Sequence, residues 1–332
     1  MLRRAAVKLL GALTLLAGVG LAENANAGEV IKLGTLAPKA SPWGQVFEVW
    51  AKAVKEKSGG AVELQFFYNG QQGDEGAMVG KMKAGQLDGA AITAVGLSKI
   101  YKPIVALQMP GLFTSWSKLD GARDAMKGEF EKGLNDAGFT LSGWGDVGLA
   151  HTMSKGFQVH TPDDIKGKKP YMWRDDIVQP VLYQVIGGVT PVPLNVPEVL
   201  PQLNTGAIDI VTAPSLAAEQ LQWSSKLDTI TSDVTAAAIG ALVFSTKRLD
   251  ALPADLKAIV MDTGKIAAGA LTKRIRSEDA AAYGRMSGKM TVVTLTADEK
   301  SKWDSLFKQV RQRLAQGTFD PGLVAKLEGL AR

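Results

Sequence analysis

The chain is 332 residues long, with 46% hydrophobic residues, 21% charged residues and a formal net charge of +5. That is ordinary globular composition, enough for two domains or one large one, and it excludes a disordered tail or a fibrous repeat. Without cysteine there is no thiol nucleophile, thiolate metal site, iron–sulfur cluster, disulfide or cysteine-linked lipid anchor. The two histidines, His151 and His160, argue against a histidine-rich metal site.

The first segment reads as a secretory signal peptide. Arg3, Arg4 and Lys8 form a basic start, Leu9 to Leu21 is an uncharged and mostly apolar run, and Ala25-Asn26-Ala27 is a small-x-small cleavage site. The run is shorter than the ~20 residues that span a bilayer. The Arg3-Arg4 pair lacks the phenylalanine usual in a twin-arginine signal, so the general secretory route is expected. Cleavage near Ala27 removes three basic side chains and one acidic one, lowering the net charge from +5 to +3. Such a mild, interspersed charge gives no basic stripe for nucleic acid. No later segment is apolar enough to embed in a membrane.

After the signal, strand-like and helix-like segments alternate. Val30 to Gly34 reads as a strand. Ser41-Pro42-Trp43 opens a helix with Phe47, Trp50 and Val54 on one face, and Ser58-Gly59-Gly60 stops it. Val62 to Tyr68 is a strand, Asn69-Gly70 a turn, and Asp74-Glu75 the first turn of a helix that stops at Gly85. Gly89 to Thr93 is a third strand, completing a β-α-β-α-β unit. Phe139 to Trp144 is strand-like. A second such unit follows: strand Lys166–Trp173, helix Asp175–Ile186, strand Val189–Leu194, helix Glu198–Asn204 and strand Ala207–Val211. Val234 to Thr246 reads as a buried strand or turn. From Pro253, apolar residues recur through Leu256, Ile259, Val260, Ile266, Ala270 and Ile275, the pattern of a helix of ~30 residues and ~45 Å. A short strand, Val292–Leu295, and a helix through Trp303, Leu306, Val310 and Leu314 close the chain.

Catalytic motifs are missing: there is no Gly-x-Ser-x-Gly elbow, His-Glu-x-x-His, phosphate loop or Gly-x-Gly-x-x-Gly after the first strand. Asp74-Glu75 and Asp175-Asp176 are adjacent pairs whose members face different sides of a helix, so they serve helix starts better than acid–base work. Two α/β lobes leave a cleft, and a cleft without catalytic groups reads as a ligand site closed by a hinge, not as an enzyme. No cofactor or metal is expected.

Several segments, in order through most of the chain, then carry a resemblance. They are Asn69-Gly70-Gln71-Gln72-Gly73-Asp74-Glu75, Gly85-Gln86-Leu87-Asp88, Pro110-Gly111-Leu112-Phe113, Thr161-Pro162-Asp163-Asp164-Ile165-Lys166-Gly167, and Gly188-Val189-Thr190-Pro191-Val192-Pro193. Glu198-Val199 with Leu203, Gly206 and Asp209 complete the set. On these segments the chain resembles the substrate-binding subunits of tripartite ATP-independent periplasmic (TRAP) transporters, of the C4-dicarboxylate-binding type. The resemblance implies a two-lobed α/β fold, each lobe a mixed sheet flanked by helices, with a long hinge-spanning helix. It implies residues 28–150 as lobe I with returning C-terminal segments, 151–245 as lobe II, and 254–332 as the hinge helix and C-terminal helices packing on both lobes.

It also implies a periplasmic protein that hands a small organic ligand to the permease subunits of a TRAP transporter. A periplasmic carrier or sensor presenting its ligand to another protein is the alternative. The family's carboxylate-clamping arginine falls on Tyr171 or Trp173 here, and Arg174 is one residue off. A second family arginine falls on Ala150, beside His151. The expected ligand is therefore aromatic, cyclic or otherwise hydrophobic, with any acidic group met by Arg174. The candidate ligand contacts are Trp43, Asn69, Gln71, Gln72, Glu75, Trp144, His151, Tyr171, Trp173, Arg174, Asn195 and Trp223.

Overall fold

A computed structural model describes residues 28–332; the expected signal peptide lies outside the described residues. Strand β1 (Glu29–Thr35) leads into helix α1 (Pro42–Lys57), where Ser41 caps the first turn by accepting from the Gly44 amide and Pro42 fills a position that needs no donor. Next come β2 (Val62–Phe67), α2 (Glu75–Lys83), β3 (Gly89–Thr93) and the short α3 (Ala94–Ser98). This reproduces the expected first unit.

Helix α4 (Trp116–Asp136) was not among the expected elements. It buries a narrow stripe of Leu119, Ala122, Met126, Phe130 and Leu134 among charged residues, too thin to stand out as a periodic apolar face. Strand β4 (Phe139–Ser154) is longer than read from sequence and runs unbroken through the expected lobe boundary at 150/151.

The second unit holds β5 (Tyr171–Trp173), α5 (Gln179–Ile186), β6 (Val192–Leu194), α6 (Val196–Thr205), β7 (Ile210–Pro214) and α7 (Ser215–Gln220). Strands β5 and β6 start five and three residues later than expected and α6 starts two residues earlier, and two further boundaries shift for local reasons. Asp175-Asp176 lies in a turn before α5, with Asp176 Oδ1 accepting from the Val178 and Gln179 amides, so the helix starts four residues later. Strand β7 starts three residues later because Ala207 and Ile208 still bond back to the Gln202 carbonyl after Gly206 caps α6. The chain continues through β8 (Thr229–Thr231), β9 (Ala236–Ser245), α8 (Thr246–Asp250), α9 (Ala254–Ser287), β10 (Thr291–Val293), α10 (Ala297–Ala315) and α11 (Pro321–Leu330). No described helix is long and apolar enough to cross a membrane.

One eight-stranded sheet runs through the molecule in the order β2-β1-β3-β9-β4-β8-β10, with β7 also on β4. Strands β1, β2 and β3 pair in parallel, whereas β9 pairs antiparallel with both β3 and β4. From Phe139 to Ala150, β4 pairs with β9, and from His151 to Ser154 it pairs with β7 and β8, Ala150 being shared between β9 and β7. The parallel pair β5-β6 joins the far side through a bridge from Pro170 to Ile210. Two wings thus share β4, and β9 belongs to the sheet of the first wing although it falls within 151–245.

Helix α9 has 34 residues, about 51 Å at 1.5 Å per residue. It packs on β4, α1 and α7. Helix α10 packs on α5, and α11 on α4. At the crossing between the wings, Asp279 of α9 is buried and accepts from the Leu149 amide at 2.8 Å and the Leu216 amide at 2.9 Å. Gly148 beside it has φ +145, and an added Cβ would meet Asp279 Oδ1 at 2.4 Å, so only glycine fits. Removing the carboxylate leaves two buried amides unpaired. Asp279→Ala should lower stability by about 3 kcal/mol in chemical denaturation; a loss under ~1 kcal/mol would show that water takes its place.

Candidate functional site

A cavity of about 270 Å³ lies between the two wings. The first wing supplies the end of β1, the start of α1 and the β3–α3 junction. The second supplies β5, the turn after it, α5, the β7–α7 junction and Trp223. Strand β4 forms the floor, and Trp303 and Phe307 of α10 reach it from the C-terminal segment.

Of the expected contacts, the structure brings five to this cavity: Trp43, Glu75, Tyr171, Trp173 and Trp223. Trp43 is fixed by its ring N–H, which donates to the Asp146 carbonyl at 3.2 Å. Tyr171 and Trp173 point the same way because they are two apart on β5. Tyr171 packs edge-on against Trp223, with ring centroids 5.9 Å apart.

The other seven are held elsewhere. Arg174 lies in the turn just after β5, pairs with Glu198 at 3.0 Å and is not among the residues that line the cavity. Asn195 is spent in the capping box of α6, with its amide donating to Glu198 Oε2. His151 stacks on Tyr283, and its Nδ1 lies 2.9 Å from the Thr231 carbonyl. Burial holds its pKa below the ordinary histidine value. Trp144 packs against Phe130 and beneath Arg123. Asn69 forms a positive-φ turn, Gln71 follows in that turn, and Gln72 accepts from Lys81.

Polar lining residues that sequence reasoning missed include Thr93, Gln108, Asp176 and Gln179. Asp176 carried a signal, since the adjacent acids were noticed, but only the turn before α5 aims one of them inward. Gln108 is locked by accepting from the Ile239 amide, a partner 131 residues away that no local pattern reveals.

The electrostatics are one-sided. Among the described residues the charged lining side chains are Glu75, Asp146 and Asp176, and no lysine, arginine or histidine joins them. Asp146 is neutralised from behind by Arg123 at 2.8 Å and Arg276 at 2.6 Å. Glu75 accepts from the Thr93 amide, the Thr93 hydroxyl and the Gly96 amide, yet full burial pushes its pKa up to about 8. Burial likewise raises Asp74 and Asp176.

Contacts also cross the cavity mouth. Asp74 Oδ2, at the start of α2, accepts from Trp173 Nε1 and from the Val196 amide, both at 3.0 Å. Lys99, just after α3, pairs with Asp175 at 2.9 Å.

A model of the bacterial extracellular solute-binding proteins of family 7 (DctP) matches residues 33–317. A solute-binding protein of Chromohalobacter salexigens is 28% identical over 173 residues, 52% of this chain and 51% of that protein, so the match spans about half of that relative. A TRAP periplasmic solute-binding protein of Sulfurospirillum deleyianum, solved with bound succinate, superposes with a TM-score of 0.84 at 20% identity, covering 92% of this chain and 99% of the other. The sugar acid binding protein of Advenella mimigardefordensis, in complex with galactonate, gives 0.85 at 17% identity, with coverage of 92% and 98%. The two structures establish the shared fold.

Glu75 binds its proton more tightly folded than unfolded. Its contribution to stability is therefore complete below the ordinary carboxylate value of 4.5 and is lost as pH rises through about 8. In thermal unfolding across that window, Glu75→Gln should flatten the decline seen in the native sequence. An unchanged slope would mean that Glu75 is ionised throughout.

Proposed function

The chain belongs to the bacterial extracellular solute-binding proteins of family 7, and from that premise we propose that it is the periplasmic component of a TRAP-type secondary transporter, exported by cleavage near Ala27. It binds a small organic solute between its lobes and delivers it to the membrane permease subunits. The observation that carries the reading is the cavity between the wings, walled by Trp43, Tyr171, Trp173 and Trp223. Strands β4 and β9 with helix α9 form the hinge, and the contacts of Asp74 and Lys99 across the mouth hold the closed form.

The solute differs from the organic acids seen in the two structural relatives. Tyr171 or Trp173 stands where a carboxylate-clamping guanidinium is expected, and no cation among the described residues lines the wall. Aromatic rings offer large contact area at low entropy cost, which suits a flat or apolar molecule. Closure would then present the permease with a surface assembled from both lobes.

Native mass spectrometry of the mature protein, before and after denaturation, tests this reading. An apolar or aromatic molecule released near one-to-one supports it. A dicarboxylate or sugar acid overturns the choice of solute. With the released solute as titrant, Trp173→Ala should weaken binding at least tenfold, about 1.4 kcal/mol, whereas Arg174→Ala should change it less than about twofold. Asp74→Ala removes both bonds across the mouth and should cost about 2 kcal/mol, roughly 30-fold in affinity. Equal loss in the Arg174 variant would return that side chain to the site.

A further inference from the structure

Among the cavity's polar groups, an open carboxylate oxygen and a buried hydroxyl stand out. Asp176 Oδ1 takes the Val178 and Gln179 amides, while Oδ2 accepts from no described residue. Tyr171, 4% exposed and part of the lining, has a hydroxyl without a hydrogen-bond partner. Glu75 lines the cavity from the first wing, but its oxygens already accept from Thr93 and Gly96, and Asp74 is taken up by Trp173 and Val196. The cations at hand are committed elsewhere, Lys99 to Asp175 and Arg174 to Glu198.

A cavity with an open carboxylate oxygen on Asp176, a partnerless hydroxyl on Tyr171 and no lining cation among the described residues disfavours an anionic solute and pairs with a cationic one. The faces of Tyr171, Trp173 and Trp223 add the attraction that aromatic rings hold for an ammonium group. We propose that the solute is an amine-bearing molecule with an apolar body, its ammonium group held by Asp176 and Tyr171. This rests on the reading of the cavity as the solute site and names the chemical class that site selects.

The test uses three matched probes, 3-phenylpropylamine, 3-phenylpropan-1-ol and 3-phenylpropanoate, titrated calorimetrically into the mature protein at neutral pH. The amine should bind at least tenfold more tightly than the alcohol, and the carboxylate more weakly than either. Asp176→Asn keeps the oxygen that accepts the Val178 and Gln179 amides. It should bring the amine to within about threefold of the alcohol. Tyr171→Phe should weaken the amine severalfold more than it weakens the alcohol. An amine no tighter than the alcohol, or an amine preference that survives in Asp176→Asn, overturns the amine class but leaves a neutral apolar solute standing. Tightest binding by the carboxylate overturns it in favour of an acid. If none of the three binds at millimolar concentration, the solute site itself falls.

Discussion

Everything in this molecule turns on one buried carboxylate. Asp279 comes from the last third of a 34-residue helix and holds the backbone of β4 and of α7 at the place where the two wings part. Burial raises its pKa even though backbone amides from both segments hydrogen-bond to it. The strand beside it shifts register between Asp146 and Gly148, and Gly148 takes a backbone angle that leaves room for the carboxylate. A two-lobed protein needs a place where its halves are joined without being welded. A point attachment among glycine and short side chains meets that need, since the sheet on either side stays continuous while the pivot itself has little bulk.

The cavity follows from how β5 is read out. On the three-residue strand Tyr171 and Trp173 are two apart and both line the cavity, whereas Arg174, in the turn that follows, does not. Once the guanidinium is outside, Glu198 takes it, and that same carboxylate closes the capping box of α6. The remaining wall is aromatic and acidic. The one well-neutralised acid, Asp146, has its arginines behind it, where they brace α4 and α9 against β4.

Much of the fold was legible in the residues. Ser41-Pro42 and Gly206 mark a helix start and a helix end through local hydrogen bonding, and the alternating runs of the first unit need no distant partner to be seen. Helix α4 was not legible because a single narrow stripe does not distinguish a helix from a polar loop. The site was half legible. Bulky aromatics near β5 and the start of α1 announced themselves, whereas His151 and Trp144 looked like cavity residues until Tyr283 and Phe130 took their faces. Asp176 and Gln108 owe their positions to a turn and to a distant amide, and a string of letters carries neither.

Trp173 has two duties. Its ring walls the cavity, and its N–H helps bolt the mouth shut against Asp74. A molecule that displaces the ring to make room for itself therefore loosens the bolt that retains it. Under the proposed function, entry would be judged by size and charge and stay by fit, because a poorly fitting guest would lift the latch from inside. Discrimination of this kind is exercised through residence time more than through the rate of capture. It costs the protein no separate gate, since one indole serves as both wall and bolt.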